Sequence, residues 1–175
     1  EKSKVNTITV HLREDRRHIN DKDLRQLKKN SHLPINLEMA LTNEMIKIAK
    51  KIQPNFICLV PEKRNEITTE GGLNLEKISI KKLNLLLSIC SSNNIQLSAF
   101  INPKKKIIDI AQRLGFHAVE LHTGPLDKDK VNKIDIKKIN EMINYSYKKN
   151  LVVNIGHGLN FKNIKYIKNR KKVDT

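Results

Sequence analysis

The 175-residue chain contains no tryptophan, only three Tyr and four Phe, two Cys, and no long apolar run. Each scarcity excludes something. With so few rings, basic stretches cannot be interleaved with aromatic platforms, the usual arrangement for stacking single-stranded bases. Cys58 and Cys90 sit in separate apolar segments and form no C-x-x-C pair, so neither a disulfide framework nor a cysteine zinc site is indicated. They read as reduced, buried thiols of a cytoplasmic protein. No apolar segment approaches the ~20 residues a membrane helix requires. The first apolar stretch, Val5–Val10, is short and mixed with Asn and Thr, unlike a secretory signal. No H-E-x-x-H occurs, and His11 and His18 stand seven apart with no third ligand at metal-site spacing. G-x-S-x-G, G-x-G-x-x-G after the first strand, and a P-loop are also missing.

Acidic residues are few as well: 18 Asp and Glu against 34 Lys and Arg give a formal charge of +16. A basic surface can mark a nucleic-acid partner. Here, however, the excess is carried by 27 Lys against 7 Arg, and Lys, Asn and Ile make up 70 of the 175 residues. These three share AT-rich codons, and the lysines are scattered in small groups such as Lys47, Lys50 and Lys51. Genome bias explains the charge without a nucleic-acid partner, and a basic binding domain is kept only as the non-enzymatic alternative.

What is present is an alternation. Six strand-length runs rich in Ile, Val, Leu or Phe occur at Val5–Val10, Ile35–Met39, Phe56–Val60, Gln96–Ile101, Ala118–Leu121 and Leu151–Ile155. Between them lie longer segments of helical period. These are Asp21–Lys29, a helix capped by Thr42 and closed by Gln53-Pro54, Leu83–Ile89, a helix from Pro103 to Leu114 stopped by Gly115, and Ile134–Tyr147. A sixth helix is predicted from Phe161 to Ile167. This alternation predicts one α/β domain over residues 1–175 with a parallel sheet, either doubly wound or a closed barrel.

Polar residues cluster where these runs end. His11-Leu12-Arg13 to His18 follows the first, Glu38 lies in the second, and Pro61-Glu62-Lys63-Arg64 follows the third. Glu120 and His122 mark the fifth, and Gly156-His157-Gly158 ends the sixth. In a parallel barrel these C-terminal ends form the catalytic face. A strand period of two puts Asn36 with Glu38, and Glu120 with His122. Taken singly, Glu38 can be a core ion-pair partner and His11 a hydrogen-bonded core histidine; Asp15, Arg16 and Arg17 can be a solvated turn. Five strand ends behaving alike favour an acid–base site. Arg13 and the N–H groups near Gly71, Gly72, Gly156 and Gly158 are candidates for holding phosphate oxygens. Together they suit proton transfers on a phosphorylated carbonyl compound.

At these residues the sequence closely resembles the pyridoxine 5′-phosphate synthase family. The matching blocks are ITVHLREDRRHI (8–19), NLEMA (36–40), LVPEKRNEITTEGGL (59–73), VELHTG (119–124) and NIGHGLN (154–160). They stand in family order and spacing over nearly the whole chain. The resemblance implies a (β/α)8 TIM barrel, with about six of the eight βα units on this chain, assembling as a homo-octamer without metal or organic cofactor. It implies condensation of 3-amino-2-oxopropyl phosphate with 1-deoxy-D-xylulose 5-phosphate, releasing phosphate and water. Carried over, His11 and Glu38 are proton acceptors, His157 is a proton donor and Glu120 supports the transition state. Arg13, His18 and Thr68 bind the deoxyxylulose phosphate, and Gly158 contacts the aminoketone phosphate. Two local departures are Asn102, where the family usually has Asp, and Ile155, where it has a small residue. The family's opening strand with its Asn-x-Asp-His motif, and its eighth strand with a second Gly-His pair, have no counterpart here. The 175 residues alone are therefore expected to be inactive. The competing enzyme reading is another phosphosugar-handling barrel, an isomerase or aldolase.

Overall fold

The computed structural model describes residues 5–62, 71–127, 131–168 and 170–174. The chain forms two compact units: Glu1–Glu66 with Lys77–Ser98, and Ile67–Glu76 with Ala99–Thr175. The first contains β1 (Ile8–His11), α1 (Asp21–Asn30), β2 (Ile35–Met39), α2 (Asn43–Ile52), β3 (Phe56–Leu59) and α3 (Ile80–Ser92). β4 (Gln96–Ile101) begins in the first unit and ends in the second, which continues with α4 (Lys105–Arg113), β5 (Ala118–His122), α5 (Lys133–Lys148) and β6 (Val152–Gly156). Strand order follows chain order, β1-β2-β3-β4-β5-β6. β1–β2, β2–β3 and β5–β6 are parallel pairs. A doubly wound sheet reverses its order at a switch point; among the described strands no reversal occurs. The fold is a parallel, TIM-barrel-like βα array with six strands among the described residues.

In the first unit, β2 shows why the strands have two different faces. Ile35, Leu37 and Met39 are fully buried, whereas Asn36 and Glu38 between them are only partly covered. Met45, Ile46, Ala49 and Ile52, the apolar side of α2, are buried as well. Thr42 caps that helix as its sequence suggests, its Oγ1 accepting the Met45 N–H at 3.2 Å. Asn20 does the same for α1 within a capping box. Its Oδ1 accepts from the N–H groups of Lys22 and Asp23, while the Asp23 carboxylate accepts the Asn20 N–H. Caps of this kind are worth about 1 kcal/mol each.

In the second unit, α4 closes as its Gly115 suggests. Gly115 has φ +83°, its N–H bonds Gln112 O at 3.1 Å, and the Phe116 N–H bonds Ala111 O at 3.2 Å. This pair of bonds is a Schellman motif, with Phe116 buried beyond it. Asp109 of α4 accepts the Tyr145 hydroxyl of α5 at 2.8 Å and pairs with Lys149 at 2.8 Å. Those two partners hold its carboxyl below the ordinary aspartate range.

Most boundaries shift by a residue or so from the sequence expectation; α3 is longer at both ends, Ile80–Ser92 against the expected Leu83–Ile89, and three further differences have a local cause. β1 starts at Ile8 because its partner β2 starts at Ile35, after Pro34, whose ring nitrogen has no hydrogen to extend the ladder. α4 starts at Lys105, since Lys104 is its N-cap and Pro103 stands outside the helix. From Phe161 to Ile167 the chain makes turns and a 3-10 helix, Ile164–Tyr166, in place of a sixth α-helix. Asn160 Oδ1 takes the N–H groups of Lys162 and Asn163, and Asn163 Nδ2 donates to Leu126 O and Gly158 O. Asparagine side chains that capture backbone groups in this way compete with the helix.

Both cysteines belong to the first unit's core: Cys58 is fully buried and Cys90 nearly so. Burial pushes the Cys90 thiol up to about 11, so at neutral pH it carries almost no thiolate. Native protein treated with iodoacetamide at neutral pH is expected to keep both thiols unmodified by mass spectrometry, and to gain two adducts only after unfolding. No helix among the described residues is long and apolar enough to cross a membrane.

Candidate active site

In the first unit the parallel register sets His11, the last residue of β1, directly beside Glu38 of β2. His11 Nδ1 lies 3.8 Å from Glu38 Oε2. That is too long for a hydrogen bond. The other ring nitrogen, Nε2, is 3.3 Å from Glu62 Oε1. Glu62 stands just beyond β3 with its side chain only 6% exposed, and its Oε2 accepts the Glu14 N–H at 2.9 Å. One imidazole thus lies between two carboxylates supplied by the segments at the ends of neighbouring strands.

The loop after β1 carries the cations. Arg13 reaches Asp15 through Nε at 3.1 Å, and Arg17 approaches the same carboxylate at 3.3 Å. The hydrogen bond from Arg13 holds the Asp15 carboxyl below its ordinary range. Arg16 takes a structural role instead. With φ +53°, its guanidinium donates to Arg13 O, Glu14 O, Asp21 and Glu44, tying the loop to the starts of α1 and α2. This corrects the solvated-turn reading for that residue. His18 is exposed, two positions before the Asn20 cap. Thr68 lies outside the described residues.

In the second unit β5 and β6 pair so that Glu120 stands beside Asn154 and His122 beside Gly156. The Glu120 carboxyl occupies the space above Gly156: a methyl group there would overlap Oε1 and come within 2.9 Å of Cδ. Glycine at 156 therefore leaves the glutamate this position, and any side chain there would make the Glu120 carboxyl shift. Thr123, fully buried, locks the two strand ends together. Its N–H donates to Gly156 O at 2.9 Å, and its hydroxyl lies 2.7 Å from Gly156 O and 2.9 Å from His157 O. The chain then turns through two left-handed residues, His157 (φ +71°) and Gly158 (φ +78°). A side chain at 158 would also meet Asp127 Cβ at 2.8 Å. The turn brings the His157 ring to 5.0 Å from His122, and both rings pack on Phe100 of β4, at 5.9 and 5.2 Å. Asn154 Oδ1 is buried with no hydrogen-bond partner among the described residues.

One expectation from the sequence changes here, and the two departures from the family pattern find their places. The Gly72 N–H donates to Asn102 Oδ1 at 3.1 Å, so this amide is already engaged by protein. Asn102 is buried and acts as the anchor for the Gly71-Gly72 turn. Ile155 is half-buried on the opposite side of β6 from Asn154 and Gly156, so its bulk points away from Glu120. Four residues at the sites had no role assigned from sequence: Glu62, Phe100, His122 and Thr123. Period two does reveal His122 as a face-mate of Glu120. Only the register and the turns reveal the others.

The family model for "Pyridoxal phosphate biosynthesis protein PdxJ" matches residues 1–175. A pyridoxine 5′-phosphate synthase from Prochlorococcus marinus (strain MIT 9515) is 47% identical over 165 residues, covering 93% of this chain and 69% of the relative. One from Blochmanniella floridana is 43% identical over 170 residues, covering 95% and 68%. One from Aliivibrio fischeri is 44% identical over 163 residues, covering 91% and 67%. Among solved structures, a tryptophan synthase alpha-subunit from Pyrococcus furiosus is similar with TM-score 0.55 at 11% identity, covering 87% of this chain and 57% of that one. A HpcH/Hpal aldolase/citrate lyase family protein from Burkholderia cenocepacia is similar with TM-score 0.55 at 12% identity, covering 93% and 75%. At such identities the structures speak for the fold alone. Sequence identity above 40% over more than nine-tenths of the chain, on a βα array whose strand ends carry His11, Glu38, Glu120 and His157, shows that the chain belongs to the PdxJ family.

Proposed function

We propose that the protein is a pyridoxine 5′-phosphate synthase that condenses 3-amino-2-oxopropyl phosphate with 1-deoxy-D-xylulose 5-phosphate by acid–base catalysis. The observation that carries this reading is the histidine held between two carboxylates in the first unit, within a chain of this family. Joining an amine to a ketone and expelling water requires a proton to leave nitrogen or carbon and another to reach the departing oxygen. His11 and Glu38 are the proton acceptors in this reading. Their adjacency lets a proton taken by one be stabilised by the charge of the other. His157 donates a proton to a leaving oxygen. Glu120, fixed over Gly156, offers its negative charge to cationic nitrogen as it develops in the transition state.

Phosphate oxygens need cationic or N–H partners. Arg13, His18 and Thr68 serve the deoxyxylulose phosphate, and Gly158 serves the aminoketone phosphate. Asp15 keeps Arg13 oriented until a dianionic phosphate competes for the guanidinium. Holding both phosphates fixes the reacting carbons, and such positioning can lower a barrier by several kcal/mol. No metal or organic cofactor takes part in this scheme, and the assembly is a homo-octamer in the cytoplasm. The reading is tested by supplying the substrates to the full-length protein singly and together. Phosphate release is expected only with both present, and release from deoxyxylulose phosphate alone would overturn the condensation order.

A further inference from the structure

We propose that Glu62 is a positioning residue that fixes the tautomer of His11, holding the ring proton on Nε2 and leaving Nδ1 as the nitrogen that accepts a proton. The inference rests on the acid–base reading of His11 and extends it to a residue outside the transferred catalytic set. The geometry is a count of donors and acceptors. An ionised carboxylate only accepts, and both Glu62 oxygens face donors: Oε2 the backbone N–H of Glu14 at 2.9 Å, Oε1 the ring Nε2 at 3.3 Å. Since Oε1 cannot donate, the ring nitrogen must. Nδ1 then presents its lone pair on the side of Glu38, 3.8 Å away, a separation that leaves the incoming proton a place between them. Once Nδ1 is protonated, the imidazolium lies between two carboxylates, Glu38 and Glu62. At 6% exposure the Glu62 carboxylate is costly to bury unless its hydrogen bonds are made, which explains why it is tied at both oxygens.

Glutamine at this position reverses the logic without changing shape. The Glu14 N–H is an obligate donor and claims the amide oxygen of Gln. The amide NH2 is then turned to His11 Nε2, and only the tautomer protonated on Nδ1 can accept it. The base would be blocked on the side where it works.

Two readouts on the full-length protein test this, with Glu62→Gln beside Glu62→Asp. Nitrogen-15 NMR of the His11 ring at alkaline pH is expected to show the proton on Nε2 in the parent and in Glu62→Asp, and on Nδ1 in Glu62→Gln. In turnover, Glu62→Gln is expected to lower kcat by about 10²- to 10⁴-fold with KM changed only a few-fold. Glu62→Asp, which keeps an acceptor-only group, should recover part of that loss. An unchanged tautomer in Glu62→Gln, or turnover within about threefold of the parent, overturns the proposal. If the parent forms no pyridoxine phosphate at all, the condensation reading fails, and the NMR comparison alone still decides whether Glu62 sets the tautomer.

Discussion

Glu38→Gln in the full-length protein should reduce pyridoxine 5′-phosphate formation by about 10³-fold or more, the range seen when a positioned proton-transfer group is lost. Fold stability should stay close to the parent's. The substitution keeps the side chain's volume and its place in β2, and the side chain is one-quarter exposed, so no large apolar contact is removed. The backbone pairing of residue 38 is also untouched: its carbonyl still accepts the Leu12 N–H at 3.2 Å. The loss would be chemical. A neutral amide can neither take a proton at working pH nor balance the charge of a protonated His11 3.8 Å away. Thermal unfolding by circular dichroism, together with kcat and KM, separates the two effects. A variant with near-parental turnover would remove Glu38 from the catalytic set.

Gly156→Ala should lower kcat by about 10²-fold, since displacement of a catalytic group by an ångström costs roughly that much. The added methyl overlaps the Glu120 carboxyl, and β6 cannot retreat easily. Its end is held to β5 by both the N–H and the hydroxyl of Thr123. Glu120 must therefore rotate away, or the strands must separate. The first outcome leaves the melting temperature nearly unchanged and reduces activity. The second adds an overpacking cost of about 1–3 kcal/mol, visible in denaturant unfolding. The backbone of Gly156 is not in the left-handed region, so alanine meets no conformational penalty of its own. An alanine variant with parental kcat and stability would show that the position of Glu120 does not matter to the chemistry.

The parts of this fold that were legible in the sequence are those governed by local rules. Thr42 and Gly115 punctuate helices through side-chain and backbone chemistry that depends on a few neighbouring residues, and both do so in the structure. Alternation of Ile35, Leu37 and Met39 with Asn36 and Glu38 shows which face of β2 is covered. Strand identity could not extend to strand register, and register is what sets His11 beside Glu38 and Glu120 beside Asn154. The segment 161–167 carried a helical pattern that lost to Asn160 just before it and to Asn163 within it, and the Asn163 side chain bonds the carbonyl of Leu126, 37 residues away. Glu62 was visible as a polar residue after a strand. Its partnership with His11 spans 51 residues and needed the sheet to bring the two together. Asn102 stood out as a departure from the family pattern, and only the turn at Gly72 explains what its amide oxygen holds.

The central claim is that these strand-end residues condense two phosphorylated substrates into a pyridine ring. The measurement that bears on it most directly is incubation of the purified full-length protein with 3-amino-2-oxopropyl phosphate and 1-deoxy-D-xylulose 5-phosphate. Pyridoxine 5′-phosphate is quantified by its absorbance and mass, and inorganic phosphate in the same samples. The expected result is equimolar pyridoxine 5′-phosphate and phosphate, with neither formed when one substrate is omitted. Absence of the pyridine product under those conditions, with the protein folded and both substrates intact, would contradict the claim.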